Sequence, residues 1–497
     1  MNGILLVAVP LLGAFLLPIV YRRHNQLGIW SAPAILILNL CIALLLWYRV
    51  TTEGPQSIAM GGFPAPLGII FYVDKLALLF AIAVILGTFI LWFGNEKGRI
   101  KEETLILLIV GGSCGLALSG DLFNIYVFYE IVAVASYGLA ASRGTGAGYA
   151  ASIRFLILSA LGSSLLLFGI ALIYAVTGTL NLAHLAYLAP QMLNSSIGLV
   201  AFALMLIGLG VKAELFPVNT WVPEVYTTAP VRVSALLGGI ISKLALLIVV
   251  RLLVLMYANT DAYLLLLSLG ILGVLTGELA ALRATELRQV LAYSSIGQLG
   301  LVAIAFAIPG PAGIIAGVAI ALHHILVKPA LFMLAEAWGG QHLSRLAGAA
   351  KASLLSSILF LVLVLSLIGI PPLPGFWAKF LLLKGALEVT ANAGWYQMAI
   401  TVVLVATVIE TAYFLRIARL MFQSSQPQQP INAPHKRELL PAFSLVALLM
   451  LSVLTVGPIS RSLTAVATDA ADRKAYIDST LPTEWRVLKK AEVSPRT

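Results

Sequence analysis

Six side chains in this sequence can bind and release a proton yet sit in or beside long apolar runs: Glu130, Lys212, Lys243, His324, Lys328 and Lys379. Their chemistry is that of acids and bases. Burial lowers a lysine pKa by up to about 3 to 5 units and a neighbouring carboxylate raises it again, so a lysine that alternately gains and loses an acidic partner takes up a proton and later releases it. His324 and Lys328 stand four residues apart and share one helix face. A haem or metal site would need further ligands, and the sequence has no His-Glu-x-x-His pattern or cysteine cluster to supply them. Cys41 and Cys114 are isolated in separate apolar runs, which suits neither a disulfide framework nor iron–sulfur ligation. Proton relay is therefore the predicted chemistry, with no cofactor and no metal held by this chain.

Two stretches must position these groups. In the first, Val211-Lys212-Ala213-Glu214-Leu215-Phe216-Pro217 is followed by Trp221-Val222-Pro223-Glu224, by Thr228-Ala229-Pro230, and by an apolar run carrying Ser242-Lys243. An intramembrane ammonium costs roughly 2.5 to 3.5 kcal/mol, and proline removes a backbone donor, so this stretch contradicts a continuous membrane helix twice. It predicts a span over Ile197 to Phe216 that breaks and resumes; if the span stops earlier, Lys212 and Glu214 are interfacial charges instead. Lys243 lies about ten residues into the run Val233 to Met256, too deep to reach the surface easily. The second stretch, Gly369-Ile370-Pro371-Pro372-Leu373-Pro374-Gly375-Phe376, cannot be continuous helix and leads at once into Lys379. Proline-broken segments with a lysine in each half of a chain are the pattern of repeats meeting at an ion site.

Glu130 follows Asp121 by nine residues, about 13 Å along a helix axis and so near mid-membrane. It needs a partner there, either as a relay member or as a protonated structural residue bonded to a neighbouring helix. Glu130, Lys212, Lys243, His324 and Lys379 together would cost on the order of 12 to 18 kcal/mol if uncompensated, which rivals the stability of a whole protein. They must pair or line a hydrated path. The expected order is that Glu130 gates the charge of Lys212, Lys243 and His324 relay the proton laterally, and Lys379 controls exit.

The composition supplies the setting. Of 497 residues, 60% are hydrophobic and 10% charged, and the mean hydropathy is +0.99. These values describe a polytopic membrane protein. With about 20 apolar residues per span, the chain tiles into about 14 transmembrane helices, and its continuous apolar runs exclude a β-barrel. The formal net charge of +10 does not indicate nucleic acid, because the Lys and Arg residues fall in short loops between spans. Ile4 to Val20 precedes Arg22, Arg23 and His24, which predicts a retained first span with its N-terminus outside rather than a cleaved signal peptide. The same alternation places the loop Asn95 to Glu103, with Lys97, Arg99 and Lys101, on the cytoplasmic side of an inner (plasma) membrane, together with Arg143, Arg283, Arg288, Arg345, Lys351, Lys436 and Arg437. Both termini are then outside; Arg49 and the mixed-charge tail after Arg461 break the pattern.

Along the chain, Ile4 to Val20 and Ala32 to Tyr48 read as peripheral packing, and Asp74-Lys75 opens a span that closes at Phe93. Arg154 can snorkel to the surface. Glu278 to Arg288 reads as a charged, solvated turn, whereas Tyr293, Ser294, Ser295 and Gln298 place polar groups inside a span. Glu410 falls in the thirteenth span. Gln423 to His435 is a Pro/Gln-rich polar loop before a last span over Ala442 to Val456. Divided by these features, the chain has N-terminal peripheral helices over 1–103, repeats over 104–257 and 258–422, and a loop, last helix and tail over 423–497.

From Asp74 to Glu410 the sequence resembles the antiporter-like membrane subunits shared by Mrp-type cation/proton antiporters, respiratory complex I and membrane-bound hydrogenases. The resemblance rests on Gly120-Asp121-Leu122-Phe123-Asn124 through Glu130, Lys212 with Pro217 and Trp221-Val222-Pro223-Glu224, Lys243, Leu291-Ala292-Tyr293-Ser294-Ser295-Ile296-Gly297-Gln298, His324 with Lys328, and Pro371-Pro372 through Lys379. It implies fourteen helices in two inverted five-helix repeats, each containing a broken helix. Glu130, Lys212, Lys243, His324, Lys328 and Lys379 match the family's proton-path positions. The first of these motifs and Thr177-Gly178-Thr179-Leu180-Asn181 look most like the D-type chain of Mrp antiporters or its hydrogenase counterparts. Lys379 is similar to that pattern and to the N-type chain of complex I, while Arg154 stands where many relatives have lysine.

Two functions follow from the resemblance. In one, the chain is the D-type member of a cofactor-free antiporter that exchanges protons for sodium or another monovalent cation among other hydrophobic subunits in the bilayer. In the other, it is the proton-pumping subunit of an NADH-quinone oxidoreductase or hydrogenase complex whose redox chemistry lies in other chains.

Overall fold

The computed structural model describes residues 2–93, 100–258, 260–339, 342–423 and 436–486, and these are nearly all helical. Lys97 and Arg99 of the expected basic loop, residues 424–435 of the expected polar loop, and the side chain of Lys436 lie outside the described residues.

Helices α1 (Leu5–Arg23) and α2 (Asn25–Glu53) lead into a two-stranded antiparallel ribbon, β1 (Gln56–Ala59) and β2 (Ile70–Val73), with Gln56 opposite Val73. Then come α3 (Lys75–Trp92), α4 (Ile100–Leu118), α5 (Leu122–Ala140) and α6 (Gly146–Thr177). The short α7 (Leu182–Met192) precedes α8 (Ser196–Lys212), α9 (Trp221–Thr228) and α10 (Val231–Leu236), and a π-helical turn over Leu237–Ile241 joins α10 to α11 (Ser242–Met256). The second half holds α12 (Thr260–Arg283), α13 (Leu287–Phe306), α14 (Pro311–Ala337), α15 (Ala349–Ala352), α16 (Leu354–Ile368), α17 (Pro374–Leu387) and α18 (Ala393–Phe422). The described chain closes with α19 (Lys436–Leu454), α20 (Val456–Ala471) and α21 (Arg473–Thr480). Eleven helices among the described residues are long and apolar enough to cross a membrane, and α8 and α16 are shorter apolar helices that each end at a break.

Short polar residues set the helix starts. Asp74, Asp121, Asn181 and Ser353 sit at N-caps and accept backbone N–H groups that would otherwise lack partners at a helix end. Burial then sorts the helices. The run through α10 and α11 has 94% of its apolar window buried, whereas the windows of α1 and α18 have 33%. A helix that is apolar all round suits the first setting, and α11, α13 and α14 form the packed centre on which the polar groups converge. Helices α12 and α13 cross closely enough that a Cβ on Gly277 would meet the Gly297 backbone nitrogen at 2.5 Å, so only glycine permits this approach.

Two sequence expectations change. The solvated turn in the Glu278–Arg288 segment narrows to its middle, where Arg283 and Thr285 are exposed: Glu278 lies inside α12 at 2% exposure, and Arg288 is buried in α13, donating to Ala229 O at 2.6 Å and Ser234 Oγ at 3.1 Å. Helix α12 is 24 residues long, so its apolar core extends past the point where a minimal span would end. The residues after Arg461 are likewise more than a tail. Helix α20 packs on α3 and α14 and α21 on the β-ribbon and α7, with Lys75 Nζ 2.8 Å from Asp469, the Tyr72 and Tyr476 rings 4.2 Å apart, and Arg473 donating to Ala186 O. Beneath them Arg251 Nη2 bonds both oxygens of Asp74, at 2.9 and 3.1 Å.

Candidate functional site

Helix α8 stops at Lys212 because the backbone turns there: Glu214 adopts φ 57°, the left-handed region, and Phe216-Pro217 follows as a cis bond. Such a conformation in a glutamate costs on the order of 1 to 3 kcal/mol and persists only where its surroundings hold it. Trp221 Nε1 donates to Val211 O at 2.9 Å, satisfying a carbonyl that the break leaves open. Lys212 points across to α5, where its Nζ donates to Tyr129 O at 2.5 Å and lies 3.2 Å from the Tyr129 ring centroid. Tyr129 in turn donates to Gly208 O at 2.6 Å, fastening α5 to α8. Glu130 is the carboxylate whose field reaches Lys212, yet the two form no ion pair, and Glu130 Oε1 is buried without a hydrogen-bond partner among the described residues.

The same break delivers Glu214 into the core. Its side chain is 0% exposed; Oε1 accepts from Tyr226 Oη on α9 at 2.6 Å, and Oε2 has no hydrogen-bond partner among the described residues. Lys243, also 0% exposed, faces this carboxylate from α11. The π-helical turn before it widens the helix, and Lys243 Nζ donates to Gly238 O within that turn and to Ser242 Oγ at 2.9 Å. Such turns are frequent at functional sites because they free carbonyls that a regular helix would occupy.

On α14, Lys328 Nζ donates to Leu291 O of α13 at 3.2 Å, and His324, fully buried, has both ring nitrogens unpartnered among the described residues. Its neighbour His323 is 2.8 Å from Ser366 Oγ on α16. Helix α16 ends at Gly369, φ 93°, and α17 restarts at Pro374 after the cis Pro371-Pro372 bond. That second break places Lys379 against α18: Nζ is 2.7 Å from Glu410 Oε2, with Ile368 O at 3.3 Å and Thr407 Oγ1 at 3.4 Å. Glu410 Oε1 accepts from Gln298 Nε2 at 2.8 Å, and nearby Glu278 Oε2 accepts from Tyr413 Oη at 2.9 Å.

The structure thus brings Lys243, His324, Lys328 and Lys379 into one buried row, with Glu130 and Lys212 at its α5–α8 end. Sequence reasoning passed over three carboxylates that alternate with the lysines: Glu214, Glu278 and Glu410. With Glu130 they match Lys212, Lys243, Lys328 and Lys379 in number. All four lysines donate to a backbone carbonyl, and Lys379 alone of the four is also closed onto a carboxylate among the described residues. Arg154 lies outside the row, paired with Glu224 at 2.7 Å, with side-chain exposures of 66% and 42%.

A profile of the NADH:quinone oxidoreductase/Mrp antiporter transmembrane family matches residues 119–409, more than half of the chain. The D-type chain of the Na(+)/H(+) antiporter of Bacillus subtilis is 32% identical over 394 residues, covering 77% of this chain and 80% of that protein. The N-type chain of the NADH-quinone oxidoreductase of Desulforudis audaxviator is 31% identical over 479 residues, covering 90% of this chain and 94% of the other. A chain in the structure of the Mrp complex from a Dietzia species superposes with a TM-score of 0.88 at 26% identity, covering 97% of this chain and 99% of that one.

Proposed function

The chain belongs to the NADH:quinone oxidoreductase/Mrp antiporter transmembrane family, and we propose that within it this protein is the D-type, proton-translocating member of a multisubunit Na+/proton antiporter. One observation carries the proton path: the buried row alternates carboxylates and lysines, with Lys379–Glu410 closed while Lys212, Lys243 and Lys328 rest on carbonyls. An ammonium is favoured beside a carboxylate and disfavoured in an apolar core, so opening one lysine–glutamate pair and closing the next passes a proton along the row.

In this reading Glu130 sets the charge state of Lys212, Lys243 and His324 with Lys328 carry the proton laterally, and Lys379 controls its exit. Residues 104–257 and 258–422 are two inverted five-helix repeats, each built around one broken helix, flanked by the peripheral helices of 1–103 and the segment 423–497. The protein sits in the plasma membrane with both termini outside, among other hydrophobic subunits.

A second reading, the proton-pumping subunit of an NADH-quinone oxidoreductase or hydrogenase complex, is favoured by the 31% identity to an N-type chain over 94% of its length. It keeps the same path and changes the energy source. The discriminating experiment is to purify the native assembly in mild detergent and record its subunit masses, iron and flavin, then assay Na+/proton exchange in vesicles. Small hydrophobic partners without iron or flavin, and exchange that Lys212→Met abolishes, support the antiporter. Iron–sulfur or flavin subunits with no cation-driven exchange overturn it in favour of the pump.

A further inference from the structure

Glu278 is a buried carboxyl of the row that the sequence places in a solvated turn. It projects from α12 at a place built for it: a Cβ on Gly297 would lie 2.3 Å from Glu278 Oε1, so the absent side chain makes the room, while Tyr413 Oη donates to Oε2 at 2.9 Å. The charged groups that face it are Glu410, Lys379 and Lys328. Neither lysine closes onto it: Lys379 is held by Glu410 at 2.7 Å, and Lys328 donates to Leu291 O at 3.2 Å. An ionised Glu278 would add a second negative charge near Glu410, whose own counter-ion is Lys379, while Lys328 is turned to a carbonyl; that repulsion favours a proton on Glu278, with Tyr413 on its other oxygen.

Resting on the proton-path reading above, we propose that Glu278 is a proton-carrying station between Lys328 and the Lys379–Glu410 pair. Transfer in breaks an N–H bond of the Lys328 ammonium, leaves the electron pair on nitrogen, and forms an O–H bond on Glu278. Transfer out reverses this at Lys379: the Glu278 O–H bond breaks and an N–H bond forms on a lysine that has already given up its own proton toward the exit. Tyr413 keeps its proton throughout and orients the carboxyl.

The test compares Glu278→Gln, Glu278→Asp and Lys212→Met in the assembled complex, by proton flux in vesicles and by infrared difference spectra of the carboxylic-acid C=O stretch. We expect Glu278→Gln to lower flux at least about tenfold with partial recovery in Glu278→Asp, and to remove a protonated-carboxyl band that Glu278→Asp shifts. Normal flux in Glu278→Gln with flux lost in Lys212→Met overturns this station and leaves the path standing; normal flux in both overturns the path itself. Should Glu278→Gln fail to assemble, Glu278→Asp still decides: a carboxyl band that does not shift overturns the proposal.

Discussion

Lys379 Nζ, on the helix that restarts after the second break, is 2.7 Å from Glu410 Oε2 on α18, and both side chains are almost fully buried. The remaining Glu410 oxygen is held by Gln298, which leaves the carboxylate no solvent contact to fall back on.

Removing one member of such a pair strands the other charge, at a cost of about 3 to 5 kcal/mol, whereas replacing both by apolar residues is often neutral. Glu410→Leu should therefore lower the melting temperature of the purified complex, and the double variant Lys379→Met/Glu410→Leu should recover most of it while remaining inactive in flux assays. Equal melting of the single and double variants would show that the two charges are not coupled.

Lys212 makes its contacts with a donor that can be either charged or neutral, and arginine cannot be deprotonated in a protein. Lys212→Arg is expected to assemble and to keep a donor for Tyr129 O, yet to lose about 100-fold in proton flux, the low end of what a positioned acid–base group contributes. Near-normal flux in Lys212→Arg would mean that Lys212 acts only as a fixed charge.

Asp74 has two duties, capping α3 through Ala77 N at 2.8 Å and pairing with Arg251. Asparagine caps as well as aspartate, so Asp74→Asn isolates the ion pair. The expected loss is about 3 kcal/mol, read as easier thermal or denaturant unfolding, with wild-type helix content by circular dichroism.

Tyr72, on the β-ribbon, is pushed up to about 12 by burial and by the Asp74 charge beside it. A raised folded-state pKa makes this a stabilisation that is complete below the unfolded tyrosine value near 10 and lost as pH rises through about 12. Docking of α20 and α21 should loosen in that window, followed by proteolysis of the C-terminal segment, and Tyr72→Phe should shift the onset upward. An onset unchanged in Tyr72→Phe would assign the transition to another group.

Much of the site was legible because Lys212, Lys243 and Lys379 contradict their surroundings locally: a charge and prolines inside apolar sequence need no partner to be noticed. Glu214 and Glu278 escaped for the opposite reason. Each stands near other charges, Lys212 in one case and Arg283 in the other, so a loop explained them. Only the length of α12, about 36 Å over its 24 residues, reveals that Glu278 is inside. The π-helical turn before Lys243 leaves no periodicity to read beyond the Gly238-Gly239 pair. Which carbonyl each lysine rests on is decided by helices far apart in sequence, as with Lys328 and Leu291.

Apart from Glu214, which follows Lys212 in the break after α8, the row places its charges singly, one sign to a helix: Glu130 on α5, Lys212 on α8, Lys243 on α11, Glu278 on α12, Lys328 on α14, Lys379 on α17 and Glu410 on α18. During biosynthesis the earlier of these helices enter the bilayer before the row is whole, each carrying a charge that costs roughly 2.5 to 3.5 kcal/mol until a partner offsets it. Lys379 in particular waits for α18: a nascent chain halted before Glu410 lacks the carboxylate that closes onto that lysine in the finished bundle.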